Sequence, residues 1–450
     1  MRRVIIAGTH SGCGKTTVTC AILQALCSRK MKVSSFKCGP DYIDPMFHER
    51  IIGTPAYNLD SFFCNDDTLK YLLCENSVNS DISVIEGVMG FYDGADEKGS
   101  AYSLARITDS PVVMVVDCKG MSGSIGAVMK GFLEYKKPNN IMGFVFNRLP
   151  ERLAPMAEKM CRDLETEYLG FFPQNDVNIK SRRLGLVTAD EVSGLRDKMQ
   201  RLGVLAEKNI RIDRIIELSQ RRSPQFTMPE LPKNSFSERP VIAVARDGAF
   251  CFIYNDNIML LEKLGCVIKY FSPLYDRRLP EADGLILPGG YPELYARGLS
   301  QNGSMMSDIR RAVAGGMPAI AECGGFMYLH DEMEDDSGEI YKMAGVIRGK
   351  AFRTDRLKRF GYVVMTARHD NMLCEKGGSF PAHEFHYWDS TSCGGDFAAR
   401  KPDGREWSCV HAGDNMYAGF PHLYFWGNIN IAVKFVEKCA EYGGKYAQDT

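Results

Sequence analysis

The sequence predicts two α/β domains in series, and three observations carry that prediction. Short apolar runs alternate with segments of helical spacing through the first half. A glycine-rich loop, A-G-T-H-S-G-C-G-K-T-T (Ala7 to Thr17), lies between the first apolar run and the first helical pattern. A polar, proline-rich stretch near the middle precedes a second α/β series. At 450 residues, 45% hydrophobic and 25% charged, the chain has the length for two cores and the composition of ordinary globular protein.

Val4 to Ala7 form the first candidate strand. In the loop that follows, small residues let backbone N–H groups crowd around phosphate oxygens. The next helix aims its positive end at the same anion. Thr9, His10, Ser11, Gly12, Cys13, Gly14, Lys15, Thr16 and Thr17 are therefore nucleotide-binding candidates. Lys15 would reach the terminal phosphates, and the Thr16 hydroxyl would hold Mg²⁺. The strict phosphate-loop pattern wants glycine where Thr9 stands; the glycine comes one place earlier, at Gly8. Val18, Ile22, Leu23 and Leu26 continue at helical spacing, and Arg29 and Lys30 are expected in the last turns, where cations suit the helix dipole. Further strands are predicted at Val33–Phe36, Ile82–Glu86, Val112–Asp117 and Ile141–Asn147. Several are apolar runs of the kind a parallel sheet buries on both faces. Residues 1–218 thus read as a doubly wound parallel-sheet domain, with its ligands at the carboxyl ends of the strands.

The stretch S-Q-R-R-S-P-Q-F-T-M-P-E-L-P-K-N-S-F-S-E-R-P reads as an extended linker over 219–239. A second domain, 240–440, follows with strands at Val241–Ala245, Val267–Phe271, Gly284–Leu287 and Ala319–Ala321 and a helix over Asn257–Leu264. There is no internal repeat. In P-A-I-A-E-C-G-G-F-M-Y-L an apolar strand runs into Cys323, with glycines just after it. A cysteine on such a strand-to-helix turn is expected to be exposed and to favour the thiolate at a helix N-terminus. Backbone N–H groups of Gly289, Gly290 and Gly324 are oxyanion-hole candidates. A cysteine nucleophile needs a base, and of the eight histidines His422, in A-G-F-P-H-L-Y-F late in the chain after an apparent strand, is an acceptable candidate, since such partners need only meet in space.

A formal net charge of −1 argues against bulk nucleic-acid binding. No apolar run is long enough to suggest a membrane span, and a cytoplasmic protein is expected. Fifteen cysteines without a C-x-x-C pair fit neither a disulfide framework nor a zinc ribbon. Most are expected to be buried small hydrophobes, with Cys323 the exception.

These features belong to a larger set in one order. K-C-G-P-D-Y-I-D-P-M-F-H (Lys37 to His48), N-L-D (Asn58 to Asp60), V-I-E-G-V-M-G-F-Y-D-G (Val84 to Gly94), L-G-L-V-T-A-D-E (Leu184 to Glu191), F-S-P-L-Y-D (Phe271 to Asp276), L-P-G-G-Y-P-E (Leu287 to Glu293) and H-E-F-H-Y (His383 to Tyr387) accompany the two loops above. On these residues, and over nearly its whole length, the chain resembles the cobyrinate a,c-diamide synthases, glutamine-dependent enzymes of cobalamin biosynthesis. The resemblance implies a dethiobiotin-synthetase-like ATPase domain followed by a flavodoxin-like class I glutamine amidotransferase domain. It implies ATP, Mg²⁺, L-glutamine and cobyrinate or a related tetrapyrrole acid as ligands, and it leaves a homo-oligomer open. The family's cysteine maps onto Cys323 and its histidine onto His422. Metal-ligand candidates beside Thr16 are Asp41, Asp44 and Glu86. Lys37 and Asp93 are candidates for substrate or phosphate contact.

The chain departs from the pattern at several places. Tyr424 stands where class I amidotransferases usually carry a glutamate that orients the histidine, so a dyad is expected. Ala382, Trp388 and Arg183 replace residues usual in the family. The His383, Glu384 and His386 cluster has the wrong spacing for H-E-x-x-H and reads as hydrogen bonding, not metal binding. The basic segment Arg348 to Arg359 is a solvated face or a patch for a polycarboxylate. Hydrogenobyrinate and nickel sirohydrochlorin remain alternative substrates. A P-loop switch ATPase with a non-catalytic second domain is the alternative of another class.

Overall fold

The computed structural model describes residues 1–95, 98–174, 189–232 and 236–444. The chain separates into two compact units, Met1–Pro229 and Glu230–Thr450. The motif at 184–191 lies outside the described residues except at its end, where the helix Ala189–Asn209 begins.

Among the described residues, seven parallel strands form the sheet of the first unit. They are Arg3–Gly8 (β1), Val33–Cys38 (β2), Ala56–Leu59 (β3), Ile82–Glu86 (β4), Val112–Asp117 (β5), Ile141–Asn147 (β6) and Glu167–Phe172 (β7), in the order β3-β2-β4-β1-β5-β6-β7. β1 is central, paired with β4 on one side and β5 on the other. Val4, Ile5, Ile6 and Ala7 are wholly buried, so the strand reads as a continuous apolar run because both its faces are covered. β3 and β7 were not among the predicted strands. β3 is four residues long, and β7 is interrupted by Gly170 at φ 111°.

The helix Lys15–Ser28 follows β1 and opens on Gly14 in the left-handed conformation, at φ 91°. It ends before the two cations expected in its last turn. Arg29 is its C-terminal cap and Lys30 has left the helix at φ 61°. Arg29 instead donates from Nε and Nη2 to the two Glu207 oxygens, both at 2.7 Å. That pair ties on the helix Ala189–Asn209, whose buried stripe Leu195, Met199, Leu202 and Ala206 has the spacing of one helical face.

The polar, proline-rich stretch is held to the first unit where it begins. Arg3 N–H donates to Ser219 O at 3.0 Å, and the Met1 ammonium donates to Arg221 O at 2.9 Å. The buried Arg3 guanidinium donates to Thr108 O and Arg222 O, and the Phe226 ring meets Tyr71 edge-on at 5.9 Å. Composition alone reads this segment as free because what holds its carbonyls, the Met1 ammonium and the Arg3 donors, lies more than 200 residues away in sequence.

The second unit contains Val241–Ala245 (β8), Phe250–Phe252 (β9), Val267–Phe271 (β10), Gly284–Leu287 (β11), Gly289–Gly290 (β12) and Ala319–Glu322 (β13). It continues with His330–Glu334 (β14), Ile340–Lys342 (β15), Ile347–Arg353 (β16), Arg359–Ala367 (β17), Ser379–His386 (β18) and Trp388–Ser390 (β19). Phe397–Arg400 (β20), Glu406–Cys409 (β21), His411–Ala412 (β22), Met416–Gly419 (β23) and His422–Leu423 (β24) complete it. Its main sheet runs β10-β8-β11-β13-β23-β22, parallel except for β22. A second, antiparallel sheet runs β21-β20-β17-β18-β24. This later sheet carries alternating burial. In β17, Val363, Met365 and Ala367 are buried while Val364 is exposed, the period-2 signature of a half-covered strand. The predicted helix over Asn257–Leu264 forms two residues early and ends one early, at Asn255–Lys263.

Candidate active site

In the first unit the glycine loop leaves the carboxyl end of β1. Gly12 and Gly14 both hold positive φ, which turns the chain tightly before Lys15. Gly8 explains the displaced glycine of the motif. A Cβ there would stand 2.3 Å from Cys13 Sγ, so the loop folds its own cysteine into the space that a side chain at position 8 would fill. The loop is braced from β6, whose terminal Asn147 donates from Nδ2 to Cys13 O at 2.8 Å. Arg148, paired with Asp117 at the end of β5, also donates to Gly12 O. Asn147, Arg148 and Asp117 were not singled out in the sequence, although all three end predicted strands or follow one directly.

Glu86 ends β4 and is wholly buried. Its Oε1 accepts from Thr16 Oγ1 at 2.6 Å, from Lys37 Nζ at 3.1 Å and from Lys15 Nζ at 3.3 Å. Its Oε2 lies 3.3 Å from His48 Nε2, a further residue that the sequence reading passed over. Burial pushes the Glu86 carboxyl up, but the Lys37 and Lys15 ammonium groups outweigh it and hold the group well below the usual carboxylate range. Lys37 is itself buried, with Asp44 at 2.5 Å and Asp41 at 3.8 Å. Its ammonium stays charged against the cost of burial because three carboxylates converge on it. Asp44 is pushed up to about 6, first by burial and then by the neighbouring Glu86.

Asp41 also accepts from Ile43 N–H at 2.8 Å and so closes a turn. Asp93 does the same, accepting from Gly90 N–H at 2.9 Å, in a turn packed against Thr9 O. The structure thus gathers Lys15, Thr16, Lys37, Asp41, Asp44 and Glu86 into one charged cluster and sets Asp93 beside the loop. Thr16, Glu86, Asp41 and Asp44 are the hard oxygen donors available to a divalent cation there.

In the second unit, β13 delivers Cys323 to a sharp turn with φ 46° and ψ −102°, a conformation few non-glycine residues adopt. Its N–H donates to Gly419 O at 2.8 Å, which anchors the turn to the end of β23. The expectation of an exposed cysteine is corrected: Cys323 is 7% exposed. Burial pushes its thiol well up and Glu293 adds to this, while the Gly324 N–H opposes both by favouring the thiolate. The helix after it, Gly324–Tyr328, has only five residues, too few for its dipole to outweigh the desolvation. This cysteine needs a base.

His422 stands three residues beyond Gly419, and it is buried. Gly289 lies against its ring, since a Cβ on Gly289 would come 2.5 Å from His422 Cε1. Gly324 lies against β12, where a Cβ would come 3.1 Å from Gly290 N. The three glycines therefore share one small space with the imidazole and the cysteine turn. His422 Nδ1 is 3.5 Å from Glu322 Oε2. His383, opposite His422 in the β18–β24 register, stacks on it with centroids 4.9 Å apart. Burial first, then its neighbour His422, holds His383 well below the usual histidine range, so it stays neutral.

The remaining H-E-F-H-Y residues make hydrogen bonds. His386 Nε2 is 2.9 Å from Glu384 Oε2, and Trp407 Nε1 donates to Glu384 Oε1 at 3.2 Å. In the basic segment, Lys350 pairs with Glu334 at 2.7 Å, Lys358 pairs with Asp389 at 2.9 Å, and Arg359 lies over the Trp407 ring. Three of the segment's cations thus meet partners within their own unit.

Comparison with known proteins adds independent findings. Residues 4–187 match the family described as CobQ/CobB/MinD/ParA nucleotide binding domain, and residues 241–428 match the CobB/CobQ-like glutamine amidotransferase domain. A Fusobacterium nucleatum protein named cobyrinate a,c-diamide synthase is 39% identical, covering 97% of this chain and all of its own. One of the same name from Caldanaerobacter subterraneus is 37% identical over 99% of this chain and all of its own. A third, from Salmonella typhimurium, is 39% identical over 94% of each chain.

Proposed function

This chain belongs to the cobyrinate a,c-diamide synthase family, and from that premise we propose that it amidates the a and c carboxylates of cobyrinate. The nitrogen comes from glutamine and the driving force from ATP. What supports the reading is that one chain carries two such sites: the Lys15–Thr16–Glu86 cluster behind a glycine loop, and a cysteine turn whose Gly324 packs on Gly290 while the adjoining Gly289 packs on His422.

In the second unit, His422 takes the Cys323 proton as sulfur attacks the glutamine side-chain carbonyl. A C–S bond forms and the carbonyl electron pair moves onto oxygen, towards the N–H groups of Gly289, Gly290 and Gly324. The imidazolium returns the proton to nitrogen, the C–N bond breaks and ammonia leaves. Water then cleaves the thioester and releases glutamate.

In the first unit, the substrate carboxylate attacks the terminal phosphorus of ATP, giving an acyl phosphate and ADP. Ammonia displaces phosphate from that carbonyl, which a free carboxylate would not allow because its leaving group is oxide. Lys15 and the loop N–H groups hold the phosphates. Glu86, Thr16, Asp41 and Asp44 suit Mg²⁺, which takes one or two carboxylates plus phosphate oxygens instead of an all-protein cage. Among the described residues no three His, Cys, Asp or Glu side chains are grouped so as to hold a metal ion by themselves. A cation held there would screen the charge between the two anions. Lys37, already neutralising Asp44 and Glu86, positions that acidic cluster.

The test is mass spectrometry after incubation with MgATP, glutamine and, in parallel, cobyrinate, hydrogenobyrinate or nickel sirohydrochlorin. The expected result is a diamide from cobyrinate. Exclusive turnover of either alternative would reassign the substrate, and nucleotide turnover without amide would favour a switch ATPase. A narrower prediction concerns Gly289→Ala. Its methyl would displace the His422 imidazole, so glutamine-driven synthesis should fall roughly 10²-fold, as misplacements of about 1 Å do. Synthesis from free ammonia should hold, and a parental rate with glutamine would show that the glycine is not needed there.

A further inference from the structure

We propose that Glu322, the residue immediately before Cys323, is the carboxylate that orients His422 for glutamine hydrolysis. The inference rests on the glutaminase reading given above and supplies the part that reading lacks.

The usual place for such a carboxylate is closed. Tyr424 occupies it, buried and packed edge-on against Tyr254 at 4.9 Å. A carboxylate reaches the imidazole from another strand. Glu322 Oε1 accepts from Leu423 N–H at 3.1 Å, and Oε2 lies 3.5 Å from His422 Nδ1. One oxygen is thus bonded to the dipeptide His422–Leu423 of β24 and the other lies beside it. The Leu423 contact fixes the carboxyl group, and the fixed group faces Nδ1. An acid at Nδ1 selects the tautomer with its proton there and leaves Nε2 as the basic nitrogen. The 3.5 Å separation is long for a hydrogen bond, as such contacts often are before substrate binds, and they shorten as the ring gains charge.

Glu322 is 7% exposed in a strand whose other residues are Ala319, Ile320 and Ala321. A carboxylate so placed is unfavourable unless a positive or hydrogen-bonding partner meets it. It also raises the thiol of Cys323. Its presence opposes the nucleophile directly and helps it only through the base. The other titratable groups around the imidazole do not replace it. His383 is neutral, and Glu293 acts on the Cys323 side. Glu384 is engaged by His386 and Trp407. Glu322 is a positioning residue, acting through His422.

The experiment compares glutamine hydrolysis by the full chain and by Glu322→Gln and Glu322→Asp across pH. Glutamine at 322 keeps the shape and loses the charge. Its kcat should fall by up to roughly 10⁴-fold, the size of loss when such an acid is neutralised, with KM for glutamine changed little. The acid limb of kcat/KM should move to lower pH, because removing the anion removes what favours the imidazolium. Glu322→Asp keeps the charge on a shorter arm, so its kcat and its limb should lie between the two. If Glu322→Gln does not fold, judged by its thermal transition, the limb of the aspartate variant decides alone. A glutamine variant with parental kcat, or a loss of rate with an unmoved acid limb, overturns the inference. A parental chain that hydrolyses no glutamine would instead defeat the glutaminase reading, before any variant is compared.

Discussion

Replacing Cys323 by alanine is expected to abolish synthesis from glutamine while leaving synthesis from ammonium salts near the parental rate. In the proposed mechanism the sulfur is the atom that bonds to the glutamine carbonyl, and no other group at the turn would take its place. Removing one member of a nucleophile–base pair usually costs nearly as much as removing all, so hydrolysis should fall by at least ~10³-fold. The fold should tolerate the change. Cys323 is buried beside Phe326 and Met327, and alanine leaves only a sulfur-sized gap. Glutaminase and amide-synthesis assays on the same preparation separate the two effects. Parental glutamine hydrolysis by this variant would remove Cys323 from the mechanism.

Lys15→Ala is expected to behave in the opposite way, losing synthesis with either nitrogen source. Its ammonium sits 3.3 Å from Glu86 and 11% exposed, at the mouth of the glycine loop. Removing it withdraws a positive charge from developing phosphate charge, a loss of roughly 10²- to 10³-fold for one such group. It also leaves buried Glu86 with one ammonium fewer, which raises that carboxyl and weakens its hold on a cation. Rates of ADP release and of amide formation should fall together. Unchanged synthesis would dispose of the phosphate-loop assignment.

The sequence displays some of this plainly and hides the rest for identifiable reasons. β1, its loop and the following helix are legible because strand, turn and helix are contiguous and each is set by local residue type. Cys323 is legible as a candidate because an apolar run and two glycines adjoin it. Its burial is not, since that depends on β23 and β12 closing over it from elsewhere in the chain. Glu322 carries only a faint signal, an acid at the end of an apolar strand. Its meaning appears only when β13 pairs with β23, setting Glu322 opposite Gly419 and near His422. His383 likewise becomes part of the site through the β18–β24 register. Arg29 looks like a helix-terminal cation and is in fact a clasp on a helix more than 150 residues further along. Between Arg348 and Arg359 the sequence leaves a solvated face and a binding patch both open, and the acids that meet Lys350 and Lys358 come from other strands.

The central claim is that nitrogen freed at Cys323 is consumed by a carboxylate energised at the Lys15 loop. It is tested most directly by stoichiometry: glutamate, ADP and amide counted in one reaction with cobyrinate, MgATP and limiting glutamine. The account predicts equal amounts of the three, with the amide nitrogen carrying the label of the glutamine side chain. ADP formed without amide, or amide formed without glutamate, would contradict it.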